Sequence, residues 1–428
     1  MQNKVRSTLG LFLLCVMCLT AGCGTETPAV QPDTVTTTPT ISPTTTEITT
    51  APEVTAADTT TAPVTEETTA APETETAAPE TTESSETTTA PDSESEDSSS
   101  ETESTAPAEN EKKPEFVNPL TGLAAEEDMS ANRPAAIMIN NIKVSCPQEG
   151  VSEADIIYEC LVEGGYTRLM MLAQDYPNLP EVGSVRSSRD YYLDFAADYD
   201  AIYVHAGGSP YAYTALKERG VQNLDGVNMY LPTTFYRDQE RVKSMGLEHS
   251  LMTTGTKIVE GIKYKRYRTA IVAEDFDYPL DFRYGDPLVF EDAAKHVHIP
   301  YSVVQITDFE YNEETGEYLR WQFNGVPHVD GANNQQLSFK NVLIYFCETG
   351  RITGDSKLRI EVGTVGEGTG FYAVNGTYTK ITWKKDSHDA PIRFYGADGE
   401  LLLMDPGKTF VSVCPTTIEN QISFNYEK

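Results

Sequence analysis

Two arginines, Arg186 and Arg189, flank a predicted helix start. Ser187 and Asp190 have the spacing of a capping box, which predicts a helix over residues 191–198. The free backbone N–H groups and the dipole of a helix N-terminus favour an anion. Guanidinium groups can hold a carboxylate or phosphate through two hydrogen bonds. The segment therefore predicts an anion-binding site, and salt bridges to Asp155 or Glu159 inside the domain are the alternative.

A second group of polar residues follows predicted strands. The apolar run 201–204 ends at His205 and breaks into the turn Gly207-Gly-Ser-Pro210. Glycine-rich turns at strand ends are common binding sites in α/β folds. His205 and Ser209 are therefore ligand-binding candidates, together with Asn141 beyond the first predicted strand. A histidine at a strand end can act as a general base, or it can be a structural residue with satisfied hydrogen bonds.

Carboxylates occupy a predicted β-hairpin. The apolar runs 154–163 and 166–172 flank Gly164-Gly165, which is typical of a hairpin. Glu159 shares one strand face with apolar residues, so it must lie at an edge or be paired. Arg168, across the hairpin, is the expected partner.

The same acids could hydrolyse a wall glycan or peptide. Glu159 and Glu163 would act with His205 or with His249, which lies near the start of a helix predicted over 247–262. This hypothesis requires a raised carboxylate pKa and a cleft, and it fails if both acids are paired. No serine lies in a nucleophile-elbow motif.

Metal and redox chemistry have little support in the sequence. His296 and His298 share a strand face, but no third ligand is close in sequence. The cysteines outside the N-terminal region lack CxxC spacing, and buried free thiols are favoured over disulfides. These cysteines are Cys146, Cys160, Cys347 and Cys414. We expect no metal site and no cofactor.

The N-terminus has the pattern of a lipoprotein signal. Residues 1–22 combine a basic start with an apolar run that is short for a bilayer span. The run ends in Leu19-Thr-Ala-Gly-Cys23, which resembles the bacterial lipobox, so Cys23 is the expected site of lipid attachment. An ordinary signal peptide is the alternative. The expected location is the extracytoplasmic face of the cell membrane, with a lipid anchor.

Residues 23–113 are rich in Thr, Pro, Glu, Ser and Ala, which predicts a disordered linker. The linker is either a stalk that carries the domain through the wall or a solvated spacer. Asp and Glu outnumber Lys and Arg by 65 to 32 in the chain, which argues against nucleic-acid partners.

The remaining sequence predicts a mixed α+β fold. Residues 114–285 alternate between strand and helix patterns, which indicates an α/β domain. Residues 286–428 show alternating apolar residues and tight turns, which predicts a smaller, mostly-β C-terminal domain.

Several motifs together resemble the YerB-like family of bacterial lipoproteins. They are residues 133–150, Ala154-Asp-Ile-Ile-Tyr-Glu159, Glu163-Gly-Gly-Tyr-Thr-Arg168, residues 183–189, residues 203–210 and, in the tail, Tyr318-Leu-Arg320 and Pro327-His-Val-Asp330. The resemblance implies a lipid-anchored, two-domain protein of thick-walled bacteria and implies no reaction. The chain has Asn140-Asn141 where the family pattern has Asp-Asn, and Glu248-His249-Ser250 where it has Pro-His-Asn. If that Asp were an essential base, this chain would be inactive.

Three functions follow, in order of preference. The first is a non-enzymatic envelope protein that binds an anionic envelope ligand through Arg186, Arg189 and His205. The second is the hydrolase described above. The third is a scaffold that docks another envelope protein on its β domain, and an exposed apolar patch would be its sign.

Overall fold

The computed structural model describes residues 112–228, 232–272 and 276–425. The predicted signal, the predicted lipid site Cys23 and the predicted linker as far as residue 111 lie outside the described residues. Four α-helices are present in the described part: α1 (Tyr192–Ala197), α2 (Pro210–Glu218), α3 (Gln239–Met245) and α4 (Gly255–Lys265). None of them is long and apolar enough to cross a membrane. Short 3₁₀ segments occur at Lys143–Ser145, Val151–Glu153, Glu163–Gly165, Tyr176–Asn178, Leu247–His249 and Thr416–Gln421.

Strands make up most of the regular structure. They are β1 (Ala135–Asn141), β2 (Ile156–Leu161), β3 (Thr167–Ala173), β4 (Glu181–Gly183), β5 (Ile202–His205), β6 (Asn223–Asp225), β7 (Tyr236–Arg237), β8 (Leu251–Thr254), β9 (Asp281–Phe282), β10 (Asp292–Ala293), β11 (His296–Pro300), β12 (Ile306–Asn312), β13 (Glu317–Gln322), β14 (Val326–Pro327), β15 (Ser338–Phe339), β16 (Asn341–Cys347), β17 (Thr349–Arg351), β18 (Ile360–Val362), β19 (Gly366–Val374), β20 (Thr377–Lys385), β21 (Arg393–Tyr395), β22 (Leu403–Met404), β23 (Thr409–Pro415) and β24 (Ser423–Phe424).

One 11-stranded sheet organises the fold, in the order β10-β20-β19-β16-β23-β2-β3-β1-β5-β6, with β21 paired to β20. The neighbours β1 and β5, β5 and β6, β2 and β23, and β16 and β23 are parallel. The central strand β16 is buried along its whole length and is apolar except at its first residue, as expected for a strand covered on both faces. A 6-stranded sheet contains β11 to β15 and β24.

Each face of the large sheet packs against a separate apolar layer. One face contacts the 6-stranded sheet and α4 through residues such as Ile157, Leu169 and Phe309. The other face contacts α1 and α2 through an aromatic layer that includes Tyr158 and Phe195. The inward and outward positions of β2 therefore point into different layers, which sets the surroundings of every polar side chain on that strand.

The structure confirms a strand-rich, mixed α+β fold, and the hairpin around Gly164-Gly165 is present as β2 and β3. The helix predicted over 191–198 is present as α1, but the predicted capping box is wrong. The N-cap is Tyr191, and no side chain caps the helix. The helix predicted over 247–262 is also wrong at its start, because β8 intervenes. That helix begins only at Gly255, where the Thr254 hydroxyl accepts a hydrogen bond from the Lys257 N–H.

The predicted boundary near residue 285 stays a prediction. All four described helices precede it, and strands with one 3₁₀ segment follow it. Strands before and after this boundary belong to the same 11-stranded sheet, because β23 pairs with β2.

Candidate functional site at the carboxyl edge of the sheet

The strand directions bring the predicted ligand-binding and catalytic residues to one edge of the sheet. Since β1 and β2 both run antiparallel to β3, and β5 runs parallel to β1, the last residues of β1, β2 and β5 end together. We call this the carboxyl edge. It contains Asn141, Glu159 and His205 from the strands, and the adjoining loops carry the remaining candidates.

Glu159 is fully buried and paired, but its partner is Arg320 and not Arg168. The Arg320 Nη2 donates to Glu159 Oε2 at 2.8 Å, and both side chains are inaccessible to solvent. Arg168 lies opposite Cys160 in the strand register, so it points into the other apolar layer. The prediction that Glu159 is paired is therefore confirmed. The prediction that Arg168 is its partner is wrong.

Four further groups saturate the Glu159 carboxylate. Its Oε1 accepts hydrogen bonds from Asn141 Nδ2 at 3.0 Å, Thr167 Oγ1 at 2.6 Å and Gln305 Nε2 at 3.1 Å. Its Oε2 also accepts one from Thr307 Oγ1 at 2.9 Å. Five donors on one carboxylate hold it in place between the two sheets, and it has no contact with solvent.

The network extends from Arg320 to His328. His328 Nδ1 accepts from the Arg320 guanidinium, and His328 Nε2 donates to Gln148 Oε1 at 3.1 Å. Burial, with the Arg320 charge beside it, lowers the pKa of His328 well below its ordinary value, so the ring is neutral. Gln148 Nε2 in turn donates to Asn141 Oδ1 at 3.2 Å, which closes the network.

Sequence reasoning gave no role to Arg320, Gln305, Thr307, Gln148 or His328. Arg320 did carry a signal, because β13 alternates between half-buried and buried residues and places Arg320 on the buried face. An arginine at an inward position of an alternating strand requires a buried carboxylate. The sequence could not say which carboxylate, because Glu159 lies 161 residues away.

Three arginines form a cationic cluster at the carboxyl edge, which we call the arginine cluster: Arg168, Arg186 and Arg189. The Arg189 guanidinium forms a two-bond ion pair with Glu163, with Nε to Oε2 at 2.9 Å. Arg186 pairs with Glu248 at 3.0 Å. Arg168 donates to the Ser187 carbonyl oxygen at 2.5 Å and has no carboxylate within ion-pair distance among the described residues.

The cluster has more cations than its paired carboxylates neutralise. Burial lowers the pKa of Arg168 to about 10; the charges of Arg189 and Arg186 act in the same direction, and the charge of Glu163 opposes them. Glu248, the partner of Arg186, is 66% exposed, whereas the Arg186 side chain is 22% exposed. The Arg186–Glu248 pair is therefore at the surface, where such pairs are weak and an external anion can displace the carboxylate.

His205 and Ser209 have structural contacts. His205 is buried, with its Nδ1 at 2.8 Å from the Gly207 carbonyl oxygen and its Nε2 at 3.2 Å from Asn223 Oδ1. Ser209 is the N-cap of α2, because its hydroxyl accepts a hydrogen bond from the Ala212 N–H at 3.0 Å. These contacts account for both side chains within the fold.

One departure from the family pattern, Asn140, contacts His249, the histidine that the chain keeps from the Pro-His-Asn motif. Asn140 Nδ2 lies 2.8 Å from His249 Nδ1 in a buried contact. Burial and the Arg186 charge lower the pKa of His249. The Asp of the family pattern would place a carboxylate at this histidine, whereas Asn140 supplies a neutral donor that favours the uncharged ring.

The geometry does not meet the conditions of the hydrolase hypothesis. Glu159 is paired with Arg320, and Glu163 is paired with Arg189. Burial alone would raise the pKa of Glu163, but the hydrogen bonds and charge of Arg189 outweigh it and lower the pKa. Since both acids are paired and the pKa of Glu163 is lowered, we do not pursue this function.

The histidine pair and the cysteines lie elsewhere in the fold. His298 Nδ1 is 2.6 Å from Asp308 Oδ1, and His296 is beside the same carboxylate. Within the described ranges, no group of three His, Cys, Asp or Glu residues is arranged to hold a metal. Cys146, Cys160, Cys347 and Cys414 are free thiols, as expected, and all but Cys146 are buried.

Comparisons with known proteins agree with this architecture. Residues 120–268 match the N-terminal domain, and residues 297–411 the C-terminal domain, of a family described as "Protein of unknown function (DUF3048)". A Bacillus subtilis (strain 168) protein described as "Putative lipoprotein YerB" is 28% identical over 301 residues, which covers 69% of this chain and 86% of that protein. The crystal structure of the YerB protein from Bacillus subtilis matches with a TM-score of 0.63 and 25% identity, over 73% of this chain and 100% of that one. The resemblance inferred from the motifs is thus confirmed, and the chain belongs to the YerB-like two-domain family.

Proposed function

We propose that the chain is a lipid-anchored, extracytoplasmic protein of the bacterial envelope that binds an anionic envelope ligand at the arginine cluster. The anchor is supported by the lipobox-like run that ends at Cys23 and by the lipoprotein description of the Bacillus subtilis relative. The acidic Thr/Pro-rich segment after Cys23 is suited to hold the folded region away from the membrane.

The anchor is tested by changing one cysteine at a time. Cys23→Ala removes the lipid acceptor, so the protein should move from the membrane fraction to the medium. Cys18→Ala is the matched control, because Cys18 lies within the predicted signal and should leave the protein in the membrane fraction. Membrane retention of the Cys23→Ala protein would contradict the anchor.

The observation that carries ligand binding is the incomplete neutralisation of the arginine cluster. The protein as a whole has a formal charge of −33. The arginine cluster, by contrast, has more cations than paired carboxylates. Arg168 is buried without a carboxylate partner in the described part of the chain, and the partner of Arg186 is highly exposed. The six-residue helix α1 is too short to add a strong dipole, so the arginine side chains are the proposed determinants.

The binding test uses isolated cell-wall sacculi and the chain without its first 23 residues. Sacculi treated with hydrofluoric acid, which removes phosphodiester-linked anionic polymers, are compared with untreated sacculi. We expect the protein to pellet with untreated walls only. Arg186→Glu should weaken pelleting about ten-fold or more, since a charge-assisted hydrogen bond contributes ~1.5–3 kcal/mol. Lys263→Glu, an exposed charge reversal on α4, is the control.

Two results would refute this function. Equal binding to treated and untreated sacculi would mean that the wall contact does not need the anionic polymer. Unchanged binding of the Arg186→Glu protein would remove the arginine cluster from the site. Glu248→Gln provides a test in the opposite direction, because it removes the carboxylate that competes for Arg186 and should strengthen binding.

An exposed apolar patch favours protein docking as a second candidate function. Val303 is 98% exposed and is followed by the exposed Val304. The Ser302 hydroxyl donates to the Gly165 carbonyl oxygen at 2.6 Å, which brings the exposed Tyr166 to the same place. Contiguous exposed apolar side chains are typical of interaction surfaces. Val303→Asp should abolish in-cell crosslinks to an envelope partner if this patch docks one, and unchanged crosslinks would exclude it.

A further inference from the structure

One face of the 11-stranded sheet is open at the end formed by β19, β20 and β21. The 6-stranded sheet covers this face as far as Phe424, which stacks on Tyr378 with the ring centroids 3.6 Å apart. Beyond that contact, alternate residues of β20 are exposed, at Lys380, Thr382 and Lys384. The side chains between them point to the other face and are buried. The open face is therefore a regular surface of side chains that three paired strands hold in place.

Two cavities follow each other along this face and form one groove, which we call the open-face groove. The first, of about 450 Å³, is lined by β19, β20, the 3₁₀ segment Thr416–Gln421 and the turn at residues 396–399. The second, of about 490 Å³, lies nearer the end of β20 and reaches β21. Thr369 and Thr382 are opposite each other in the strand register and line both cavities. A groove that continues across neighbouring strands suits a chain-like ligand.

Each half of the groove contains an aromatic ring. Phe371, in the first cavity, lies edge-to-face on Phe346 and Phe424, with ring centroids 5.9 Å and 5.2 Å away. Tyr395 of β21 lies opposite Thr382 and lines the second cavity. Both rings are half-buried, so part of each is accessible in a fixed position. The C–H groups of a sugar ring pack on aromatic faces, whose quadrupole attracts them.

The charged groups that line the groove balance each other. Lys380 and Glu419 line the first cavity, and Lys384 and Glu367 line the second. Lys384 also pairs with Asp386 at 3.1 Å, outside the lining. The groove thus has no excess of cations, and it favours a ligand without net charge.

Hydroxyl and amide groups supply the remaining polar contacts. The Thr369 hydroxyl donates to Glu419 Oε1 at 2.9 Å, which orients that carboxylate at the rim of the groove. Thr382 and Asn420 are exposed in the same lining. Hydroxyl and amide groups both donate and accept hydrogen bonds, as the hydroxyl groups of a sugar do.

We propose that the open-face groove binds an uncharged glycan chain. Sugar rings pack on Phe371 and Tyr395, and sugar hydroxyl groups exchange hydrogen bonds with Thr382, Asn420 and Glu419. The site is separate from the proposed function, because β16, β23 and β2 lie between β19 and the strands of the arginine cluster in the sheet order.

Isothermal calorimetry on the chain without its first 23 residues tests the proposal with two probes. Chitohexaose is a β-linked and maltohexaose an α-linked uncharged oligosaccharide, and binding of either one supports the proposal. We expect the same affinity at low and high salt, because an uncharged ligand forms no ion pair that salt could screen. Arg186→Glu should also leave the affinity unchanged, which separates this site from the arginine cluster.

Two variants locate the ligand in the groove. Thr382→Leu narrows the part that both cavities share and removes a hydroxyl group, so the probe should bind at least ten-fold more weakly. Thr353→Leu, on an exposed turn outside the groove, is the matched control and should bind normally. Tyr395→Ala removes one aromatic ring and should weaken binding about ten-fold. The melting temperature of each variant shows whether the fold is kept, and each of the two groove variants remains informative if the other unfolds.

Three outcomes would overturn the proposal. The first is the absence of measurable heat with both oligosaccharides at millimolar concentration. The second is unchanged binding by a folded Thr382→Leu or Tyr395→Ala protein. The third is a loss of binding at high salt, which would indicate a charged contact in place of sugar packing.

Discussion

Replacing Glu159 by Gln should strongly destabilise the fold. The substitution keeps the shape of the side chain but removes its charge, so the fully buried Arg320 loses its counter-ion. It also turns one acceptor oxygen into an NH₂ donor that faces groups which themselves donate. Whichever orientation the amide takes, at least two of the five donors lose their acceptor.

The expected cost follows from these two effects. Breaking one partner of a buried, hydrogen-bonded ion pair costs ~3–5 kcal/mol, and an unsatisfied buried donor costs ~1–3 kcal/mol. The two figures describe the same loss in part, so we expect a decrease of about 3–5 kcal/mol in the free energy of unfolding. A domain with a stability of ~5–15 kcal/mol would lose a large fraction of it.

Urea unfolding followed by tryptophan fluorescence measures this decrease. Trp321, on β13, is next to Arg320 in the chain and reports on the strand that would move. Glu240→Gln is the matched control, because its ion pair with Lys243 is highly exposed and its loss should change stability by ~0.5 kcal/mol at most. A cost below about 1 kcal/mol for Glu159→Gln would refute the interpretation of the network.

The double substitution Glu159→Met with Arg320→Met gives an independent check. Replacing a buried pair by apolar side chains of similar volume is often neutral or stabilising, so the double variant should be more stable than Glu159→Gln alone. If the double variant is the less stable of the two, the hydrogen bonds and not the uncompensated charge dominate the cost.

Three further predictions concern pH and chain length. The free energy of unfolding should fall as the pH drops below about 6.5, because His328 is protonated in the unfolded chain and stays neutral when buried. Urea unfolding at pH 5 to 7.5 measures this dependence, and His328→Gln should make it weaker. Asn140→Asp should raise the pKa of His249 by placing a carboxylate at the ring nitrogen, which an NMR titration of that histidine measures, and an unchanged pKa would contradict the contact. Residues 112–285 alone should fail to fold, which circular dichroism and proteolysis would show, because β2 would lose its neighbour β23 and Glu159 would lose Arg320.

Local features of the fold were predictable from the sequence, because local spacing determines them. The Gly164-Gly165 hairpin and α1 are where the pattern places them, since each depends on a few consecutive residues. The misassigned helix at residues 247–262 shows the limit of this reasoning. Its apolar spacing suits a helix, but Leu251 and Met252 pair with β4 and β7, and this tertiary contact outweighs the local preference.

The partners of the polar residues could not be predicted, because they come from distant parts of the chain. Glu159 was recognisably out of place among apolar neighbours, yet nothing near it in the sequence indicates Arg320. Arg189 was expected to bind an external anion or to pair with Asp155 or Glu159, but its partner is Glu163. Residue type and strand face thus predict that a buried charge has a partner, and the order of strands in the sheet selects that partner.

The strand order also explains why the two edges of the sheet differ in chemistry. At the carboxyl edge, the parallel strands end in polar side chains that the 6-stranded sheet covers, as Arg320 does for Glu159. Beyond that cover lies the arginine cluster, in which Arg186 pairs with the exposed Glu248. At the amino edge, α1 ends beside the start of β5, and a cavity there has a lining that includes Arg219, Arg268 and Asp200.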